Sequence, residues 1–314
     1  MVVIWTGLPL VFYYMSIYSQ IASNKRRTIL IFALFVFLAT GFFYLVGIYS
    51  NSANSYFIYG LIFSLFSTLG SYFFSDKIVL FSVGATPATK EKFFDFYTVS
   101  ENLSMASGMP MPKLYVINDN SPNAFATGRN PNHAVVCVTT GLLALLDRSE
   151  LEGVIAHELS HIKNYDILLA SVVATLVGTV ALVADWLMRS MWWGGMGRSK
   201  DSKEDNGNPL FLIFMIFVFI ITPLVATLIQ LAISRRREFL ADASGALTTR
   251  YPEGLARALE KINQYRFPMT SATTSTAHLF ISNPFKKPGH SNWLLNLFST
   301  HPPAEERIRI LRSM

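Results

Sequence analysis

Two histidines separated by three residues, His157 and His161, carry the strongest chemical signal in the sequence. Residues four apart on a helix project from one face, about 40° apart, so both imidazoles can reach one metal ion. Glu158 lies on the same side of that helix. The resulting H-E-x-x-H pattern is typical of zinc hydrolases in which the glutamate is the general base. The motif therefore predicts a hydrolytic metal centre whose third ligand lies elsewhere.

Glu238 is the candidate for that third ligand. It follows three arginines at residues 235–237, and Asp242 shares its face if this stretch is helical. Two histidines, one glutamate and an open position for water form an established catalytic zinc set, whereas structural zinc is normally closed by four protein ligands, often cysteines. Cys137 is the single cysteine and lies far from the motif. The open, catalytic interpretation is therefore favoured over a non-catalytic protein with a structural metal site.

The composition indicates a membrane protein. Hydrophobic residues make up 51% of the chain and charged residues 15%, against a usual charged share of roughly 25%. A run of about 20 apolar residues can cross a bilayer. Four such runs occur and pair into two hairpins, with basic residues at 25–27 and 235–237 predicting cytoplasmic ends. The runs cover 28–48, 56–74, 167–187 and 210–233.

These runs divide the chain into five segments. The hairpins occupy 28–75 and 167–233, and a protease domain in two parts surrounds the second one. Residues 1–27 are an N-terminal extension and basic flank, 76–166 hold the metal helix, and 234–314 hold the third ligand. We therefore expect the metal centre close to the cytoplasmic face of a membrane.

The residues before the metal helix change to a soluble α+β pattern. An amphipathic helix is predicted over 90–105, and strands over 113–117 and 133–139, with a turn between them. Ser149 and Glu152 have the spacing of a capping box that opens the metal helix. Asp166, five residues past the motif, is expected to cap or salt-bridge near the membrane surface, with no catalytic part.

Several longer motifs resemble the HtpX-type membrane zinc metalloproteases, bacterial relatives of the eukaryotic CAAX prenyl endopeptidases. The matching stretches are HELSH at 157–161, RREFLADASGA at 236–246, PNAFATGRNPNHAVVCVTTGLL at 122–143 and STHPPAEERI at 299–308. The resemblance implies a membrane α-helical fold with a zincin-like α+β metalloprotease domain and about four transmembrane helices. It also implies one Zn²⁺ per chain, held by His157, His161 and Glu238.

Roles for the remaining residues combine the resemblance with the chemistry. Zinc would polarise the scissile carbonyl and lower the pKa of its water to about 7. Glu158 would take the proton of that water and pass it to the leaving amine. Asp242 would accept a hydrogen bond from a ligand histidine, His157. By the resemblance, His301 and Arg307 would stabilise the oxyanion.

The resemblance further implies an extended substrate. The strand over 133–139, which includes Val135 and Val136, would be the edge strand along which the substrate lies, and Asn123 and Ala124 would contribute to the same cleft. Backbone pairing of this kind predicts a loose sequence preference.

The expected partners are polypeptide substrates, membrane proteins above all, and the lipid bilayer. Nucleic acid is not expected, because no basic patch is interleaved with aromatic residues. The favoured function is a zinc metalloendopeptidase of the bacterial cell membrane that removes misfolded or damaged membrane proteins. A CAAX-type processing peptidase remains the alternative with the same chemistry. The sequence does not indicate an oligomeric state.

Overall fold

The computed structural model describes residues 10–195, 225, 235–265, 267–285 and 302–314. The predicted apolar run over 210–233 lies outside the described residues, except for residue 225. Nine α-helices of this part of the chain position the site. They are α1 Leu10–Tyr49, α2 Ala53–Ser82, α3 Phe94–Ser107, α4 Thr140–Leu145, α5 Arg148–Lys163, α6 Asp166–Gly195, α7 Arg235–Thr249, α8 Pro252–Gln264 and α9 Ala304–Leu311.

Three of the described helices, α1, α2 and α6, are long and apolar enough to cross a membrane. Their candidate spans are Ser19–Ile48, Ala53–Ser82 and Asp166–Trp186. Helix α1 begins well before the predicted run at residue 28, because neither proline nor glycine interrupts residues 10–40. Helices α1 and α2 pack side by side, and the hydroxyls of Thr40 and Ser64 form a buried hydrogen bond of 3.3 Å between them.

A four-stranded sheet forms the strand layer of the described chain. Its strands are β1 Thr86–Pro87, β2 Lys113–Ile117, β3 Ala124–Gly128 and β4 Ala134–Thr139, in the order β1-β2-β4-β3. The two predicted strands are confirmed as β2 and β4, which pair in parallel with Lys113 opposite Val135. Strand β3 pairs antiparallel with β4, although the sequence predicts only a turn between the two predicted strands.

The predicted position of the 133–139 strand at the sheet edge is wrong. Strand β4 is flanked by β2 on one side and β3 on the other, so its backbone is already hydrogen-bonded in both directions. Val135 and Val136 are buried in this interior strand, with 1% and 0% of their surface exposed. The edge on this side of the sheet is β3, which begins at Ala124.

Helix α5 packs on the sheet through apolar side chains. Val154, Ile155 and Leu159 are buried in one apolar cluster with Val136 and Val138 of β4. Helices α3, α7 and α8 also contribute to that cluster. The two histidines of α5 are thereby carried on a helix that is packed on several sides.

Helix α5 does carry a capping box, but the predicted Ser149–Glu152 pair is wrong. The cap is Asp147, whose Oδ1 accepts from the Glu150 N–H at 2.9 Å, while the Glu150 carboxylate accepts from the Asp147 N–H at 2.9 Å. The Ser149 hydroxyl donates to Asp147 at 2.7 Å and so supports the cap. Lys261 of α8 binds the buried Glu150 carboxylate at 2.6 Å.

Helix α3 begins four residues later than predicted, at Phe94, and ends at Ser107. Gly108, which follows, has the left-handed conformation with φ 66°. Glycine adopts this conformation without the steric cost that a side chain brings.

Candidate active site

The two histidines of α5 and the glutamate of α7 meet at one point. The Nε2 atoms of His157 and His161 are 3.1 Å apart. The carboxylate oxygens of Glu238 lie 3.7 Å from Nε2 of His157 and 3.6 Å from Nε2 of His161. One ligand atom from each residue lies within 4.8 Å of the others. The structure therefore brings together the three residues predicted as metal ligands.

This cluster fits a zinc ion. Two imidazole nitrogens bound at about 2.0–2.1 Å in tetrahedral geometry are about 3.3 Å apart, close to the observed 3.1 Å. Imidazole and carboxylate are ligands that zinc accepts, and three protein ligands leave one position for water. His157 is fully buried and Glu238 is 8% exposed, so both are shielded from bulk water.

Asp242 and Arg307 orient the first of these histidines. Nδ1 of His157 is 2.9 Å from the Asp242 carboxylate. Arg307 donates to both oxygens of Asp242, from Nε at 2.8 Å and from one Nη at 2.7 Å. Because Nδ1 is engaged by a carboxylate, Nε2 is left to face the ligand cluster. The predicted partner of His157 is thus observed in contact with it.

Charge and burial explain the pKa values of this group. Burial raises the pKa of Asp242, but the guanidinium of Arg307 outweighs it and the pKa falls to about 2. Burial lowers the pKa of His157 to about 4, against the opposing effect of Asp242. At neutral pH His157 is therefore a neutral imidazole, the form that binds a metal.

Arg307 itself lies in the interior. It is 1% exposed, and one Nη is 4.0 Å from Glu238. Two of its donors are directed at Asp242, and its predicted role at the oxyanion stays a prediction. His301, the other residue predicted for that role, lies outside the described residues.

His161 has a carboxylate partner of its own. Its Nδ1 is 2.9 Å from Oδ2 of Asp166, the first residue of α6. Burial alone lowers the pKa of His161, but Glu238, Asp166 and Glu158 outweigh burial and raise it to about 9. Glu158, next to His157 on α5, is 3% exposed. Sequence reasoning had given Asp166 no part in the site.

Of the residues predicted to bind substrate, Asn123 and Ala124 lie at the start of the edge strand, whereas Val135 and Val136 lie in the interior strand β4. The backbone oxygen of Ala124 accepts from the Ile281 N–H at 2.9 Å, and the Asn123 amide donates to the Ser282 oxygen at 2.9 Å. This part of the edge is therefore covered by residues 281–282. In an antiparallel ladder alternate residues turn their backbone groups outward, so Ala126 presents its N–H and C=O in the same direction as Ala124.

The arrangement is that of a metalloprotease attached to a membrane, and comparison with known proteins shows which family it is. The chain belongs to peptidase family M48, whose model matches residues 92–314. This assignment agrees with the resemblance noted in the sequence and confirms the predicted class of enzyme, a membrane metallopeptidase.

The chain is similar over most of its length to bacterial proteins named "Protease HtpX homolog". The one from Caldanaerobacter subterraneus subsp. tengcongensis is 48% identical over 301 residues, covering 95% of this chain and 98% of the relative. The one from Thermoanaerobacter pseudethanolicus is 52% identical over 245 residues, covering 78% and 80%. The crystal structure of S. mikatae Ste24p is similar with a TM-score of 0.47 at 19% identity, covering 95% of this chain and 67% of that one.

Proposed function

We propose that this metalloprotease is a zinc endopeptidase of the bacterial cell membrane that cleaves misfolded or damaged membrane proteins at the cytoplasmic face. One Zn²⁺ per chain would be held by His157, His161 and Glu238. The observation that carries the proposal is the convergence of these three ligand atoms within 4.8 Å. His157 and His161 lie on α5, which ends at Lys163, and the apolar helix α6 begins at Asp166.

Zinc, when bound, supplies a Lewis acid that polarises a carbonyl and lowers the pKa of a water ligand to about 7. Glu158 is the general base. Its buried carboxylate takes a proton from the attacking water and delivers it to the leaving amine. Such proton transfer by a positioned side chain contributes typically about 10²–10⁴-fold to the rate.

Asp242 and Arg307 hold His157 in the orientation that this chemistry requires. A histidine whose second nitrogen is hydrogen-bonded to a carboxylate has a fixed tautomer and a fixed ring plane. The bidentate contact of Arg307 fixes the carboxylate in turn. We assign Arg307 to this positioning role rather than to the oxyanion, because its guanidinium is buried against Asp242.

The substrate would add a strand to the edge of β3. Ala126 turns its backbone groups toward this edge, between Asn123 and Ala124, which residues 281–282 cover, and Gly128, whose N–H donates to Ser171 Oγ at 3.1 Å. Strand β3 is buried along its length, so pairing with a substrate would require the covering residues to move aside. Val136 is the register partner of Ala126, so it supports the edge strand from within the sheet. Recognition through backbone groups suits substrates of varied sequence, as removal of damaged proteins requires.

The mechanism is tested with Glu158→Gln in the full-length protein, assayed on casein in detergent. We expect unchanged bound zinc and a loss of cleavage of about 10²–10⁴-fold. Glu152→Gln is the matched control, since it lies on the same helix and forms an ion pair with the half-exposed Arg148 at 3.5 Å. Retained activity in Glu158→Gln would rule out the general-base role. Glu238→Ala should lose both zinc and activity, and unchanged zinc content would remove Glu238 from the ligand set.

The membrane orientation is tested by labelling. A cysteine introduced between residues 199 and 206, outside the described residues, should react with an impermeant reagent added to intact cells. The native Cys137 is buried and provides the unlabelled background. Labelling only after lysis would contradict the proposed cytoplasmic active site.

A further inference from the structure

Behind His161 lies a buried polar cluster that joins three helices. Asp166 of α6 uses Oδ2 to accept from Nδ1 of His161 at 2.9 Å. Its other oxygen, Oδ1, accepts from the Asn24 amide of α1 at 2.7 Å and from Arg237 of α7 at 3.4 Å. Asn24 is 1% exposed, Arg237 5% and Asp166 7%. Both oxygens of one carboxylate are therefore engaged inside the protein.

Helix α1 also contacts the turn that precedes Asp166. The Asn24 amide donates to the backbone oxygen of Asn164 at 3.0 Å. The Lys25 ammonium lies 4.6 Å from the centre of the Tyr165 ring. Tyr165 has a positive φ of 60°, so the chain reverses sharply between α5 and α6. Asn24 and Lys25 of the first membrane helix thus contact the three consecutive residues 164–166.

We propose that Asp166 is a positioning residue of the metal centre and that Asn24 makes the first membrane helix part of it. The inference rests on the proposed zinc site. Histidine ligands of metals commonly donate their second nitrogen to a carboxylate, which fixes the tautomer and the ring orientation. Asp166 does this for His161, as Asp242 does for His157. Asn24 lies outside residues 92–314, the part of the chain that the family model matches.

Asn24 acts by restricting the rotation of the Asp166 carboxylate. With the amide in place, the short 2.7 Å contact holds Oδ1 and directs Oδ2 at His161. Without it, Oδ1 keeps the longer contact of 3.4 Å to Arg237, and the carboxylate is free to turn. A shift of α1 against the turn would therefore reach the His161 ring through a single side chain.

The test measures zinc affinity of the full-length protein in detergent, by competition with a chromophoric chelator, and the absorption spectrum of the cobalt-substituted protein. Asp166→Ala should weaken zinc binding by about 10–100-fold. Asn24→Leu changes no charge and should weaken it in the same direction by less. It should also shift the cobalt spectrum, because the His161 ring is no longer held in one orientation.

Two variants provide matched controls. Asp185→Asn removes a carboxylate from the same helix α6, where it is exposed and pairs with Arg189 at 2.8 Å. Asn54→Leu introduces the same asparagine-to-leucine change at an exposed position of α2. Both should bind zinc as the wild type does. If Asp166→Ala fails to fold, Asp166→Asn retains the shape and one acceptor oxygen, and it should bind zinc more weakly than the wild type.

Wild-type zinc affinity and cobalt spectrum in both Asp166 variants would overturn the proposal and leave Asp166 as a contact between helices. Wild-type behaviour of Asn24→Leu beside a weakened Asp166→Ala would overturn the part assigned to the first membrane helix. Failure of the proposed zinc site is a different result, because the wild-type protein itself would then keep its activity after zinc is removed.

Discussion

Gly245 allows α7 to lie directly against the backbone of the metal helix, so Gly245→Ala should impair the site more than the fold. A Cβ at this position would meet the backbone nitrogen of His157 at 3.1 Å and the carbonyl carbon of Ala156 at 3.3 Å. Ordinary contacts begin at 3.4 Å, so the two helices must move apart by a few tenths of an ångström. Glu238 and Asp242 lie on the same helix as Gly245 and would move with it.

The expected effects differ for folding and for activity. Replacing glycine by alanine within a helix gains about 1 kcal/mol, and mild overpacking costs about 1 kcal/mol or somewhat more, so the free energy of unfolding should change little. Metal–ligand distances tolerate about 0.2 Å. Misplacement by 1 Å costs about 10²-fold in rate, so a displacement of about 0.3 Å, taken in proportion on a logarithmic scale, predicts a fall of about fourfold in kcat/KM.

The measurement pairs kcat/KM on casein with thermal unfolding in the same detergent. Gly178→Ala on α6 is the control, because its Cβ would first meet the flexible Ser275 hydroxyl at 3.6 Å. Wild-type activity in Gly245→Ala would show that the site does not depend on this close approach. If Tm fell by several degrees and kcat/KM fell with it, the substitution would act on the fold as a whole.

Three further results are expected. Arg307→Ala leaves the buried Asp242 carboxylate without its cationic partner, which should lower the free energy of unfolding by about 3–5 kcal/mol, measured by denaturation in detergent; an unchanged value would contradict the buried pair. Burial raises the pKa of Asp119, but hydrogen bonds from Ser121, Thr270 and Ser271 outweigh it and the pKa is lowered. Asp119→Ala should therefore cost about 2 kcal/mol at pH 7, and the difference from wild type should vanish as acid protonates the folded carboxyl, since a depressed pKa stabilises the fold only above it; a difference constant with pH would contradict this. Removal of zinc with a chelator should lower Tm and abolish casein cleavage, and restored zinc should reverse both.

The three candidate ligands could be predicted because their placement depends on local geometry. His157 and His161 are four residues apart on one helix, so their relative direction is independent of the surrounding fold. Glu238 follows three arginines, which predict for this end of the apolar run the same side of the membrane that is predicted for the metal helix. The helical spacing of the two histidines and the basic residues before Glu238 are sufficient to relate the metal helix to the stretch that carries Glu238.

The edge of the sheet could not be predicted in the same way. Strand β3 contains alanine and glycine, which are depleted in strands, and its sequence indicated a turn. Without β3 in the sheet, β4 was left as the edge. Strand order depends on how the chain crosses from β2 to β4, which is a property of the tertiary structure. The predicted position of the capping box is wrong for a simpler reason. Both Asp147–Glu150 and Ser149–Glu152 have the required spacing, and Asp147 is the residue that caps the helix.

The partners of buried polar and charged side chains are the part of the site that the sequence predicts least well. These partners connect α1 and α9 to the metal helix. Arg307 of α9 holds the carboxylate that contacts His157, and Asn24 of α1 holds Asp166, which contacts His161. No local pattern relates residues so far apart, because the partner of a buried side chain depends on which elements pack together. Each histidine is thus supported by a carboxylate that a residue near one end of the chain keeps in place. On this basis the loss of α9 should loosen His157, and the loss of α1 should loosen His161, although neither helix supplies a metal ligand.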